Sequence, residues 1–246
     1  MLKSLFAAAG IGGATVDTRL INPRLRPGEI LRGEVVVKGG SVDQDISKIE
    51  LLLLTETECE REGRETRETA WLAGLPISGP CRIPAGCEWR LPFQLPLPAE
   101  TPVNHHPALR DEPPVWIHTD LALGMARDAA DNDRLQVQPT PQMEAILRAF
   151  SRLGWELHRA DVEAGTVRAG EAASTLGCYQ EFELRPRDAG WNWNEIELTF
   201  IPDGYGAIHV LIEIDAGDDD HYLSLRMEPD WEDADWTAEL RVRLGL

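Results

Sequence analysis

The chain has 246 residues, 43% of them hydrophobic, which suits one large all-β domain or two domains of about 120 residues each. Its 42 acidic side chains against 24 basic ones leave a net charge of −18, and the only lysines are Lys3, Lys38 and Lys48. With no basic cluster, nucleic acid and anionic lipid are excluded as partners and basic protein surfaces are left open.

In chain order, MLKSLFAAAGIGGATVDT comes first. One lysine before an apolar stretch is a thin imitation of a secretion signal. A short helix leading into a strand over Ala14–Leu20 is the expected form. No run approaches the ~20 apolar residues of a membrane span, so no transmembrane segment is expected.

RPGEILRGEVVVKGG, residues 26 to 40, follows. Pro27 fixes φ and Gly28 tolerates positive φ, so the pair fits the centre of a type II turn. Ile30, Val35 and Val37 suit a pleated surface, and Gly39-Gly40 ends the strand. Next, Leu51 to Leu54 form a buried run that gives way to alternation. Glu56, Glu58, Glu60 and Glu62 then share one face, read as solvent-facing and answered by Arg61, Arg64 and Arg67. Prolines at 76, 80, 84, 92, 96, 98 and 102 confine the following segment to short edge strands and stiff connections. Residues 115 to 123, VWIHTDLAL, alternate cleanly as a further strand.

GMARDAADNDR, 124 to 134, is short, polar and acidic and is expected to be a linker. Thr140-Pro141 opens a helix, with a hydroxyl at the N-cap and Pro at the first helical position. Met143, Ile146, Leu147, Phe150 and Leu153 fall on one face, and Gly154 closes it. From Cys178 onward CYQEFELRP, NEIELTFIP, GAIHVLIEID, HYLSLRME and WTAELRVRL each alternate as strands at sandwich spacing. The expected architecture is mainly β: two tandem antiparallel, immunoglobulin-like sandwiches with one short-to-medium helix in the second half. Residues 1–123 form the first, 124–134 the linker and 135–246 the second.

Those same stretches resemble arrestin-like proteins, in which Pro-Gly-Glu precedes a Gly-x-Val-x-Val strand. Within that superfamily IGGATVDTRL, FQLPLPAETP, VWIHTDLAL and the pair YQEFELRP and NEIELTF, in this order, are similar to the bacterial sporulation-control protein family. The resemblance spans nearly the whole chain. It implies two arrestin-like sandwiches and an interaction or regulatory role without chemistry, in developmental or cell-division control. One departure is the long Pro-rich loop NHHPALRDEPPVW, 104 to 116.

Residues with chemical potential read mostly as frame. His105-His106 have no Cys or His at ligand spacing, and loop decoration accounts for them. Asp128, Asp131 and Asp133 lack the turn glycine and bidentate glutamate of a calcium loop. Asp218, Asp219 and Asp220 mark a charged hairpin tip. GIGG at 10 to 13 precedes a strand where a nucleotide loop follows one. Cys59, Cys81, Cys87 and Cys178 contain no Cys-x-x-Cys and fit reduced cytoplasmic thiols, with Cys81 and Cys87 flanking a turn. Catalytic signatures are absent from the sequence. No enzyme activity, metal or cofactor is therefore expected.

Trp191 and Trp193 stand two apart at a strand start, and Trp231 and Trp236 lie among acids. Such tryptophans serve equally as junction packing or as partner anchors. The candidate partner-binding residues are therefore Trp191, Trp193, Trp231, Trp236, Glu56, Glu58 and Glu60. The expected role is a scaffold for basic protein partners, with homodimerisation through sheet edges as an option. The competing class is a carbohydrate-binding or carbohydrate-cleaving sandwich. It requires Trp191 and Trp193 as an exposed platform beside a carboxylate cleft.

Overall fold

The computed structural model describes residues 12–61, 63–110, 112–124, 128–188, 192–217 and 220–246. In chain order the strands are β1 Thr15–Leu20, β2 Arg24–Leu25, β3 Ile30–Lys38, β4 Gln44–Arg61, β5 Arg64–Ser78, β6 Cys81–Ile83, β7 Glu88–Pro96, β8 Val115–Leu123, β9 Ala129–Arg134 and β10 Gln136–Val137. Helix α1, Pro141–Arg152, precedes β11 Trp155–Ala164, β12 Arg168–Ala169, β13 Ala172–Ala173, β14 Cys178–Pro186, β15 Glu195–Pro202, β16 Ile208–Asp215 and β17 Asp220–Met227. Helix α2, Trp236–Leu244, follows. The expected short helix before Ala14 falls largely outside the described residues.

The opening turn forms as its sequence dictates. Glu29 N–H donates to the Arg26 carbonyl across the turn at 3.1 Å, and Gly28 sits at φ 82°. The turn launches β3, which pairs antiparallel with β1 on one side and β7 on the other. Opposite this small sheet stand β4, β8 and β9, which pair in that order. Leu31, Val35 and Val37 from one layer meet Ile49, Leu51, Leu53, Ile117 and Leu121 from the other, all fully buried. This sandwich-like first core is held across the layers by a Thr18–Thr119 hydroxyl bond of 2.6 Å.

Residues 129 to 134, expected as free linker, are instead strand β9, paired residue by residue with β8 from Leu121↔Ala129 to Trp116↔Arg134. Two of the acids that suggested a linker are bound. Asp131 Oδ2 accepts from Thr18 N–H at 2.8 Å, and Asp128 Oδ1 accepts from Leu123 N–H at 2.8 Å. The proline-rich segment also differs in length. β5 runs 15 residues as an edge of the large sheet, with Pro76 near its end, while β7 is an edge of the small one. Pro remains confined to edges, as its missing N–H requires.

The second core lies on one face of β11, β14, β15, β16 and β17, which form an antiparallel run. Phe182, Leu184, Ile196, Leu198, Val210 and Ile212 point into it and are met by Met143, Ile146 and Phe150 of α1. Thr140 caps α1, its Oγ1 accepting from Met143 N–H at 3.3 Å. Phe182 and Phe200 meet edge-to-face at 5.5 Å. A single parallel pair, Glu163↔Glu58, joins this run to β4, so one ten-stranded sheet passes behind both cores.

The expected strand over WTAELRVRL is helix α2. The alternation Leu240, Val242, Leu244 reads as a strand, yet only Leu240 and Leu244, four apart, are buried, while Val242 is 79% exposed. Local signals select the helix. Asp235 accepts from Thr237 and Ala238 N–H at 3.1 Å, and Gly245 closes the end at φ 70°. Glu239 and Arg243 pair at 2.6 Å one turn apart. The described chain thus carries two α-helices where one was expected.

Candidate functional site

Several residues of β11, β14, β15 and β16 that point away from the second core are acidic. Strand alternation puts Asp161 and Glu163, Glu181 and Glu183, Glu195 and Glu197, and Glu213 and Asp215 on the face away from the second core. The register then sets like charges opposite one another: Asp161↔Glu181, Glu183↔Glu197, Glu197↔Glu213 and Glu195↔Asp215. Directly opposed like charges repel. Here four such pairs lie side by side in one strip.

Burial and mutual repulsion raise the proton affinity of these groups. Burial first, then the charges of Glu197, Asp161 and Glu163, pushes Glu181 up to about 8. Burial with Glu213 and Glu195 takes Glu197 to about 7. Burial and a hydrogen bond with Asp161 take Glu183 to about 7. Asp161 and Glu163 are raised too, chiefly by burial.

Cations answer only the borders of the strip. Arg159 donates through Nη2 to both Glu58 oxygens at 2.8 Å and approaches Glu183 at 3.3 Å and Asp161 at 3.5 Å. Arg185 reaches Glu195 at 3.2 Å. Among the described residues no Lys or Arg forms an ion pair with Glu163, Glu181, Glu197 or Glu213; Glu213 accepts the Tyr222 hydroxyl at 2.8 Å. Two groups bring one carboxylate oxygen from each member within 4.8 Å of the others: Asp161, Glu163 and Glu181, and Glu181, Glu197 and Glu213.

The residues singled out by sequence do not gather in one place. Trp193 is half-buried and packs against Trp155 of the second core, with ring centroids 6.2 Å apart and planes tilted by 32°. Trp191 lies outside the described residues. Trp231 and Trp236 pack against the second core, and Trp236 Nε1–H donates to the Trp231 carbonyl at 2.9 Å. The glutamate row is not a uniform solvent face. Glu60 is exposed and Glu56 half-buried, but Glu58 is buried between Arg159 and Arg67, the latter at 2.7 Å. Of the arginines expected to answer that row, Arg67 pairs with Glu58 and Arg61 with Glu68.

His106 is half-buried, with burial lowering its proton affinity, and its Nδ1 accepts from Ala108 N–H within the loop. All four cysteines are free thiols, with Cys178 buried and Cys87 exposed. Asp218 and Asp219 lie outside the described residues. The carboxylate strip escaped the sequence reading, although its signal was present: each strand alternates acid with aliphatic, as in Glu195-Ile-Glu-Leu and Ile212-Glu-Ile-Asp.

Fold and strip together define a mainly β protein of sandwich-like sheets, whose longest sheet presents carboxylates in place of a second apolar face. The chain belongs to the sporulation-control Spo0M family, whose model, described as SpoOM protein, matches residues 2–217. It is 35% identical over 215 residues to the sporulation-control protein Spo0M of Bacillus subtilis (strain 168), covering 87% of this chain and 80% of that one. The crystal structure of Spo0M from Bacillus subtilis matches with a TM-score of 0.81 at 28% identity, over 95% of this chain and 98% of that one. The family read from the order and spacing of the strand and turn motifs is therefore the family of the chain. No helix among the described residues is long and apolar enough to cross a membrane.

Proposed function

We propose that the chain is a non-enzymatic regulator that binds protein partners by strand addition along β5. The observation that carries this reading is the state of that strand. β5 pairs with β4 on one side only, and midway along it Trp71 is 59% exposed. From Ala70 to Leu75 the edge carries no charge. An extended peptide added there gains main-chain hydrogen bonds, and a large aromatic beside it supplies the anchor that alternate side chains read. Glu60 and the half-buried Glu56 extend an acidic border toward the hairpin end, and the net charge of −18 favours a basic partner. By its family, the process served is control of sporulation or a related developmental step, and the cysteine usage fits a cytoplasmic setting. The carbohydrate reading draws no support from Trp193, which is half-buried and packs at a tilt against Trp155 of the second core.

The test is affinity capture from the native host with the full chain and its Trp71→Ala variant, at low and at high salt. A set of basic proteins retained by the parent, released by salt and lost from the variant is the expected result. An identical captured set for both chains would remove β5 as the docking edge.

A further inference from the structure

We propose that the cleft between the loop at 104–110, helix α1 and strands β11 and β14 binds a small carboxylate with a flat apolar body. The inference is independent of the β5 reading, because no residue of β5 lines this cleft.

Three observations carry it. First, the cleft encloses about 820 Å³, within the roughly 300–1,000 Å³ of small-molecule sites. Pro107, Leu109, Leu147, Leu157 and Pro186 supply its apolar lining. Second, its charge is opposite to that of the protein as a whole. Arg110, Arg148, Arg185, His106 and His158 line it, against the two acids Glu144 and Glu156. Both acids are already answered. Glu144 is shared by Arg148 at 3.1 Å and by Arg26, outside the lining, at 3.5 Å. Glu156 holds Arg187, also outside the lining, at 3.0 Å, and Arg185 is taken by Glu195 at 3.2 Å. Among the described residues Arg110 enters no ion pair, so Arg110 and one of the two guanidiniums on Glu144 remain uncompensated. At physiological ionic strength distant acids are screened beyond about 8 Å, and these arginines set the local field.

Third, the loop wall is fixed before any ligand arrives. Asn104, 8% exposed, donates from Nδ2 to the Leu135 carbonyl at 3.1 Å and accepts from Val137 N–H at 2.7 Å. The N–H groups of Asn104 and His105 both donate to the Val137 carbonyl, at 2.9 and 3.0 Å. Gln180 brackets Val103 with two bonds of 2.7 Å, and Leu109 N–H closes on the His106 carbonyl at 3.1 Å. A wall held in this way avoids the ordering cost of binding.

The lining narrows the ligand. A guanidinium meets a carboxylate through two parallel hydrogen bonds and stacks on flat rings, while the leucines and prolines take the apolar body. Two uncompensated guanidiniums in a chain of net charge −18 favour a monoanion over a phosphate dianion.

The experiment titrates 1-naphthoate into the full chain by calorimetry at about pH 7.5 in ~0.15 M KCl, with 1-naphthamide and 1-naphthyl phosphate in parallel. Saturable 1-naphthoate binding is expected, at least tenfold tighter than that of the neutral amide. Arg110→Gln and Arg148→Gln should each weaken it at least fivefold, and Arg61→Gln, at an exposed hairpin position outside the cleft, should leave it unchanged. Leu109→Glu, which adds a carboxylate to the lining, should abolish it. Circular dichroism confirms that each variant is folded, and Arg110→Gln, at an exposed loop position, carries the test if another is not. Absence of saturable 1-naphthoate binding, equal binding of the amide, tighter binding of the phosphate, or parent-like affinity in the Arg110 variant would each overturn the proposal.

Discussion

Arg159 holds both oxygens of Glu58 at 2.8 Å, and these two residues tie the strand of the first core to the strand that begins the second sheet run. The pair sits where β4 and β11 meet by one parallel bridge, Glu163↔Glu58. Burial alone would raise the Glu58 carboxyl, but bonds to Glu65, Arg159 and Arg67 outweigh it and hold Glu58 below the ordinary glutamate value. Glu58 is therefore structural cement, although it lies in a row that looks like solvated surface.

Charge reversal separates the members of that row. Glu58→Lys would bury an ammonium against two guanidiniums, and a loss of about 3 kcal/mol in chemical denaturation is expected. Glu60→Lys, at an exposed position, should change stability by less than about 0.5 kcal/mol. Equal effects from the two substitutions would show that the Arg159 bridge contributes little.

Asp133 supplies a pH dependence of known sign. Burial, then the charges of Asp131 and Asp17, pushes it up to about 6, and its Oδ2 is buried without a partner. A carboxyl raised in the folded state binds its proton more tightly there than in the unfolded chain. Its contribution is therefore favourable at low pH and is lost as pH rises from about 4 to about 6. Asp133→Asn should stabilise the protein by about 1–2 kcal/mol at pH 7.5 and leave it unchanged near pH 4. Parallel thermal melts at the two pH values measure this, and a stabilisation independent of pH would contradict it.

Gly28 tests backbone strain without steric overlap. A Cβ built there meets nothing within 4 Å, so only the positive φ opposes a side chain. Gly28→Val should cost about 1–3 kcal/mol in urea unfolding, from a β-branched residue forced to φ 82°. Gly28→Asn should cost clearly less, because Asn tolerates that region. If both cost the same, the turn is not the source of the penalty.

Trp71 tests the docking edge kinetically. Once a captured partner is in hand, Trp71→Ala should raise its dissociation rate at least tenfold, equivalent to about 1.4 kcal/mol. The melting temperature should barely move, because the ring is exposed. A slower association with unchanged dissociation would indicate charge steering instead of an anchor.

Much of the frame was readable in the residues because its causes are local. The Pro27-Gly28 turn, the cap at Thr140 and the alternation of β8 depend on neighbours a few positions away. So do the apolar faces of β14, β15 and β16. The same locality misled at two places. Alternation in WTAELRVRL counted as a strand because the pattern contains no information on which of three aliphatic residues finds a core. The capping by Asp235 and the burial of Leu240 and Leu244 decided for a helix. Residues 129 to 134 looked like a solvated connection, and pairing with β8 made them a strand.

The carboxylate strip shows where the division falls. Sequence alone determined that each of its strands has an acidic and an apolar face, since side chains alternate with a period of two. It also fixed the family, through the order and spacing of its strand and turn motifs. Only the tertiary structure decided that four acidic faces lie side by side, that Glu58 is buried under Arg159 while Glu60 is not, and that β5 is left with an open edge. Those outcomes depend on which strands become neighbours and in what register. Both are set by long-range packing of the two cores, over separations no local pattern encodes.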